Sequence, residues 1–479
     1  MALTINPIKF GTDGWRGVIG ADFTMERVAK LAPLAAQVLK DYNSASNLVI
    51  VGYDRRFMAE DFAQVTTEAL QEAGFDVLLS ESYAPTPAFS WTAKAENALG
   101  ALVLTASHNP STYLGLKVKG AFGGSVSQEV TKKIESLLNS SIPVSASKGR
   151  LKLFNPWQSY GGQLRSQVDI HGIKEAIASG KLKVFADVMH GAASGGLSQI
   201  LGCEVPEINA NRDPLFGGNP PEPLARYIPE LFRTIKETAR QYPQSLRLGF
   251  VFDGDGDRLA AVDGNGDFQS SQVLIPILIE HLASRRGLWG EVVKTLSGSD
   301  LIPKIAQLYH LPLFETAIGY KYIAERMLTS NVLIGGEESG GVGYGTHIPE
   351  RDALLSALFV LEAVVESGKD ITELYSNLQK KVDFESSYNR LDLPLQNMQQ
   401  RSLLWQELAH NPLKTIAGKS VTDCLTMDGY KFRIEDGSWL LIRFSGTEPL
   451  LRLYSEAYTD KAVQQNLTWA KEWALSVKS

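Results

Sequence analysis

The chain has 479 residues, 44% hydrophobic and 21% charged, with a formal net charge of −6. That length is enough for roughly three or four domains with ordinary cores. Its 47 basic residues are spread among 53 acidic ones along the whole length, which argues against the concentrated basic surface of a nucleic-acid binder. No apolar run approaches the ~18 residues needed to cross a bilayer. Residues 1–9 lack the basic start and apolar stretch of a leader, and Cys203 and Cys424 stand in no metal-ligand spacing. These features predict a cytoplasmic, unprocessed protein with two buried thiols and with neither nucleic acid nor membrane as partner.

In chain order, an apolar run at 47–51 (NLVIV) precedes a helical stretch at about 59–73, and residues 99–104 (LGALVL) form the next run. Runs at 183–186, 248–252 (LGFVF), 292–296 and 332–334 repeat the rhythm. Continuous rather than alternating Val/Ile/Leu suits strands covered on both faces in parallel or mixed sheets, so the fold class is α/β. The last hundred residues differ. Residues 429–458 read as paired strands (GYKFRI, SWLLIRF, LLRLYSEA) closed by a helix at 461–476, a smaller α+β unit. Breaks fall at the Ser/Pro/Gly-rich 140–149, the turn-rich 263–267 and the polar stretch after Gln379. They predict four domains, 1–155, 156–268, 269–380 and 381–479.

Four apolar strands run straight into polar loops, and ligands of open α/β sheets collect at such strand ends. In LVLTASHNP (102–110), Ser107 stands just past a buried strand, placed as a nucleophile, or else in a turn bonded only to its own backbone. No G-x-S-x-G elbow occurs, and His108 is expected to point away from its neighbouring serine, which disfavours a Ser-His-Asp hydrolase. In FVFDGDGDR (250–258), Asp253, Asp255 and Asp257 alternate with glycines, so an extended turn can aim three carboxylates at one hard cation, Mg²⁺, Mn²⁺ or Ca²⁺. An EF-hand is excluded by Arg258 and Gly264 where Gly and Glu are required. In LIGGEESGG (333–341), Glu337 and Ser339 can bond vicinal sugar hydroxyls, though a tight solvated loop accounts equally well for them. In LIRFSGTEP (441–449), Arg443, Ser445, Gly446 and Thr447 offer a donor cluster for a phosphate dianion, or a plain hairpin turn. A Walker A loop at 418–420 is excluded by Leu413 at its first glycine position.

Taken in order, FGTDGWRG (10–17), TASHNP (105–110), DGDGDR (253–258), GEESGG (336–341) and RFSGTEP (443–449) resemble the signature set of the α-D-phosphohexomutase superfamily across nearly the whole chain. The resemblance implies four domains around one cleft, with Ser107 phosphorylated in the active enzyme. It implies one Mg²⁺ per chain, held by Asp253, Asp255, Asp257 and a phosphoserine oxygen of Ser107. Arg16 then lies near the phosphoserine, with His108 beside it and Arg258 lining the cleft. Lys117 is the candidate general acid/base, Glu337 and Ser339 contact the sugar ring, and Arg443, Ser445, Gly446 and Thr447 cradle the distal phosphate. Many bacterial members carry His where this chain has Gly341. FETAIGYKYI (314–323) and THIPERDALL (346–355) resemble phosphoglucomutases instead, which implies Lys321 at the substrate and His347 and Arg351 near the cleft mouth. The implied reaction interconverts glucose 1- and 6-phosphate through glucose 1,6-bisphosphate, which also serves as activator, in a monomer or weak homodimer. Phosphomannomutase, glucose 1,6-bisphosphate synthase and phosphoglucosamine mutase stand as alternatives. A phosphatase would need a water activator instead of the distal cradle. A silent sugar-phosphate sensor would need a damaged Ser107 or Asp triplet, and both are intact.

Overall fold

The computed structural model describes residues 6–11, 13–141, 145–445 and 448–477. Four sheets follow one another along the chain, three mixed and flanked by helices and the fourth wholly antiparallel. In the first, the parallel strands Leu48–Tyr53, Asp76–Ser80 and Gly100–Leu104 are extended on one side by the antiparallel Tyr113–Gly120 and Trp15–Val18. The second is built on Leu182–Asp187 and Leu246–Phe252, and the third on Glu291–Thr295 and Val332–Gly336. The fourth carries Tyr430–Ile434, Trp439–Phe444 and Leu450–Ala457, packed under helix Asp460–Ser476.

The apolar runs are strands because they are buried on both faces: every residue of Gly100–Leu104 and of Val332–Gly336 is buried. Helices begin where the sequence supplies caps. Thr24, Ser127 and Asp352 each accept a backbone N–H of the first turn that follows.

Two expected breaks shift. Strand Leu151–Phe154 pairs in parallel with Asp76–Ser80, so 140–149 leads back into the first sheet. The turn at 263–267 closes a hairpin between Leu259–Val262 and Phe268–Gln269 inside the second sheet. Polar, turn-rich composition marks a connection but does not say whether the chain returns to the same sheet.

One continuous core spans the first three units, including Phe89, Leu197, Phe250, Leu274, Ile334 and Leu358. Leu404, Leu440, Leu453 and Leu467 belong to a separate core in the fourth. Cys203 and Cys424 are free and half-buried rather than buried. Among the described residues no helix is long and apolar enough to cross a membrane.

Candidate active site

The four polar loops share one local construction. Each joins a buried strand to the antiparallel strand that returns beside it: Gly100–Leu104 to Tyr113–Gly120, Leu246–Phe252 to Leu259–Val262, Val332–Gly336 to Val342–Tyr344, and Trp439–Phe444 to Leu450–Ala457.

Ser107 adopts φ 51°, the left-handed region that costs a residue with a Cβ. Two supports hold it there. Its N–H donates to Thr105 Oγ1 at 2.9 Å. The buried Arg56 guanidinium donates to the carbonyls of Ser107 (2.6 Å), Asn109 (2.7 Å), Pro110 (3.0 Å) and Tyr113 (3.1 Å). The turn also folds His108 back, so that its Nδ1 lies 3.2 Å from Ser107 Oγ. This overturns the expectation that the imidazole points away from its neighbouring serine. Burial, then the charges of Arg258 and Arg16, push the His108 pKa well below its ordinary value. Arg16 Nη1 donates to Asn109 Oδ1 from across the loop.

Ser107 Oγ donates to Asp253 Oδ2 at 3.0 Å, bringing the first and second loops together. Gly254 makes the approach possible, because a Cβ there would meet Ser107 O at 2.4 Å. Asp253, Asp255 and Asp257 are buried and offer carboxylate oxygens that all lie within 4.8 Å of one another. Asp253 Oδ1 accepts the N–H groups of Asp257 (3.0 Å) and Arg258 (3.1 Å). Asp255 Oδ2 takes Thr86 Oγ1 (2.6 Å) and Lys117 Nζ (2.7 Å), and Asp257 Oδ2 takes Lys117 (2.9 Å) and Arg351 Nη2 (2.7 Å). Asp255 Oδ1 and Asp257 Oδ1 are left buried with no hydrogen-bond partner among the described residues. Buried carboxylate oxygens are not left unpaired without cost, and three hard oxygen donors at this spacing fit Mg²⁺.

Charge is distributed unevenly over the triplet. Burial opposes ionisation of Asp255, yet Lys117 and Arg351 hold its carboxyl well below the usual range. Burial, compounded by Asp257 and Asp255, pushes Asp253 well above it. Lys117 is fully buried, and Asp13, Asp255 and Asp257 raise its pKa against the pull of burial. The expected general acid/base is therefore anchored by three carboxylates as a cation. Arg258 is close to the triplet, its Nε 3.8 Å from Asp257 Oδ1.

The sugar loop docks on the second sheet: Leu259 N–H donates to Gly340 O at 3.0 Å, and a Cβ at Gly340 would meet Leu259 O. Glu337 is buried, with its pKa raised by burial, and its Oε2 is 3.9 Å from Arg351 Nη1. Ser339 lines a cavity of about 550 Å³ with Glu338, Gln272, Tyr388 and Arg390. Lys321 faces a pocket of about 240 Å³ beside Asp13, Gly14 and Ser125, apart from the serine loop. Arg351 and His347 are not at the cleft mouth. Arg351 is buried at the junction of the first three units, and His347 is buried against Trp91 and Asp352. In the fourth loop, Arg443 Nε pairs with Asp428 (3.1 Å), and the carbonyl of the buried Ser445 accepts Arg401 Nε (2.6 Å). Gly446 and Thr447 lie outside the described residues.

Sequence reasoning missed Arg56, Asp13 and Thr86. The triplet Asp54-Arg55-Arg56 directly after an apolar strand was a readable signal for the first, and Asp13 stands in the FGTDGWRG segment. Nothing local marks Thr86.

A serine pressed against a buried acidic triplet, amid arginines and a lysine on α/β scaffolds, defines a phosphoryl-transfer enzyme. Comparison with known proteins gives its kind. Descriptions of phosphoglucomutase/phosphomannomutase α/β/α domains I, II and III match residues 7–143, 158–266 and 270–382, and that of the C-terminal domain matches 406–467. A phosphoglucomutase/phosphomannomutase of Thermococcus kodakarensis is 30% identical over 96% of each chain. A phosphoglucosamine/phosphogalactosamine mutase of Sulfurisphaera tokodaii is 31% identical over 96% of this chain and 97% of its own. A solved structure from Thermus thermophilus superposes with a TM-score of 0.84 at 31% identity, covering 99% of this chain and 100% of that one. The chain belongs to the phosphoglucomutase/phosphomannomutase family of the α-D-phosphohexomutase superfamily, with all four domains. It is a phosphohexomutase, an intramolecular phosphotransferase.

Proposed function

We propose that this chain interconverts glucose 1-phosphate and glucose 6-phosphate through phosphorylated Ser107. The carrying observation is the 3.0 Å contact of Ser107 Oγ with Asp253, held by the Arg56 clamp. In the forward half, the free hydroxyl of the monophosphate attacks phosphoserine phosphorus. The Ser107 O–P bond breaks, a sugar O–P bond forms, and the hydroxyl proton ends on the Ser107 Oγ left behind. In the second half, Ser107 Oγ attacks the other phosphate of the reoriented glucose 1,6-bisphosphate, the bond from that phosphorus to the sugar oxygen breaks, and the Ser107 proton passes to the sugar hydroxyl so formed. When bound at Asp253, Asp255 and Asp257, Mg²⁺ supplies charge neutralisation for the transferring group. Arg16 and Arg258 flank that group, and the Lys117 cation adds positive charge beside the triplet. Glu337 and Ser339 orient the sugar, and Arg443, Ser445, Gly446 and Thr447 take the distal phosphate. Lys321, which lines a pocket with Asp13, is a further substrate contact. We read the enzyme as a cytoplasmic monomer or weak homodimer. The segments around Lys321 and His347 support glucose over mannose.

The test is a coupled assay of glucose 1-phosphate conversion with Mg²⁺ and trace glucose 1,6-bisphosphate, with Ser107→Ala beside it. Mannose 1-phosphate and glucosamine 1-phosphate run in parallel, the latter because of the Sulfurisphaera relative's name. Turnover of the glucose substrate that vanishes in S107A is the expected result. Faster turnover of another sugar would reassign the substrate. Accumulating bisphosphate would point to synthase chemistry.

A further inference from the structure

Resting on that reading, we propose that Arg351 is a positioning residue that fixes Asp257 and the sugar loop together, and that residue 341 is glycine to give Arg351 room. Arg351 lies between strand Val342–Tyr344 and helix Ala353–Ser367, where the chain is held on both sides. Its own N–H donates to Glu350 Oε1 (3.2 Å), while Glu350 Oε2 is taken by the buried Lys119. The next residue, Asp352, caps the helix through Leu355 N–H (2.9 Å) and accepts the Tyr160 hydroxyl (2.8 Å) from the second unit. The guanidinium therefore projects from a fixed base.

From that base it reaches all of the first three units. Nη2 is 2.7 Å from Asp13 Oδ2 in the first and 2.7 Å from Asp257 Oδ2 in the second. Nη1 faces Glu337 Oε2 in the third at 3.9 Å. With Lys117 it occupies one oxygen of Asp257 and leaves the buried Oδ1 without a hydrogen bond. A planar fork can serve two carboxylates from different elements at fixed angles, which a lysine ammonium on a flexible stem does not reproduce.

The stem explains the glycine. A Cβ at position 341 would lie 2.3 Å from Arg351 Cδ and 2.9 Å from Cγ. Gly341 does not have positive φ, unlike Gly340, so its requirement is one of space and not of backbone conformation. Any side chain at 341 competes with Arg351 for one volume beside Glu337.

The experiment is a cycle of R351K, R351A, G341A and G341A/R351A, read by kcat and KM, by melting temperature, and by Mn²⁺ titration followed by electron paramagnetic resonance. R351K keeps the charge, and is expected to lose about tenfold in kcat and about tenfold in Mn²⁺ affinity with the melting temperature within about 2 °C. G341A is expected to lose about tenfold on both readouts when Arg351 is present, and less than about twofold in the R351A background. R351K matching wild type, or G341A costing as much without Arg351 as with it, would overturn the proposal. If R351A does not fold, R351K and G341A carry the decision through Mn²⁺ binding. A wild-type chain inactive on every hexose phosphate, but showing this Mn²⁺ pattern, would sink the mutase reading and leave the positioning role standing.

Discussion

Arg56 shows how a residue with no chemistry of its own holds the loop of Ser107, the proposed nucleophile. Its side chain is fully buried, and it donates to four carbonyls of the serine loop while facing Asp54 at 3.4 Å. Removing it strands the buried Ser107 carbonyl, at a cost of about 1–3 kcal/mol, takes a donor from three partly buried ones, and frees Ser107 from its left-handed conformation. Arg56→Ala should destabilise the protein by roughly 3 kcal/mol or more and lower kcat about a hundredfold or further. Arg56→Lys should recover part of the stability and little of the rate, since one ammonium cannot serve all four carbonyls. Chemical denaturation and the coupled assay check both. An R56A chain with unchanged kcat would mean the loop holds its shape unaided. At this scale the neighbours of the three aspartates pointed to a cation site, while Ser107 stood between nucleophile and plain turn until the order of five motifs was considered. Sequence reasoning misjudged His108, because one backbone torsion decides where that ring goes.

At the scale of elements, the repeated device is a hairpin whose connection has become a site. The second strand of the first pair puts a further residue at the site: Lys117 comes from Tyr113–Gly120, opposite Val103. The loops of the first two hairpins then touch through backbone, which only glycine at 254 permits. Gly254→Ala must push Ser107 O away from a 2.4 Å approach. It should lower kcat about a hundredfold while costing about 1–3 kcal/mol of stability, because a sub-ångström shift of the serine loop misplaces the nucleophile before it unfolds anything. Equal kcat for G254A and wild type would rule out that backbone contact as a catalytic requirement. The apolar runs were legible as strands from composition, and 461–476 as a helix from its position after the strands; the structure gives Asp460–Ser476. The pairing back of each following strand was not legible in the first three units, since a short run such as Leu259–Val262 carries no mark of its partner.

Across the whole molecule, the first three units share a core while the fourth keeps its own, and the third and fourth meet where Leu296 and Ile318 pack with Trp439, Leu441 and Tyr454 beside buried charges. Lys431 is buried there, donating to Leu296 O at 2.9 Å over the Trp439 ring. Its facing charges are Lys294, Asp300, Glu315 and Arg433, and Asp300 is shared among the three cations. Burial, then Lys294, pulls the Lys431 pKa down to about 7. In the unfolded chain the same group holds its proton to about pH 10.4. Between those values the unfolded state binds more protons, so this group makes stability rise as pH increases from about 7 toward about 10. Lys431→Met lacks the titration. The melting temperature of wild type minus that of the variant should grow from about pH 6.5 to about pH 9. Parallel curves across that window would show that Lys431 keeps its charge in the folded protein.

The sequence by itself supplied the candidate groups: a strand-end serine, three alternating carboxylates, a Glu-Ser loop and an Arg-Ser-Gly-Thr loop, each visible within about ten consecutive residues and given its meaning by their order along the chain. It also determined the α/β class and the different character of the last hundred residues, through patterns just as local. Only the tertiary structure decided which charges meet. Ser107 finds Asp253 from 146 positions away, and Arg351 finds Asp13 from 338. Contacts over such distances depend on how whole sheets pack against one another. No local pattern encodes that packing, so the partners of Lys117, the clamp of Arg56 and the volume claimed by Arg351 beside Gly341 become visible only in the folded chain.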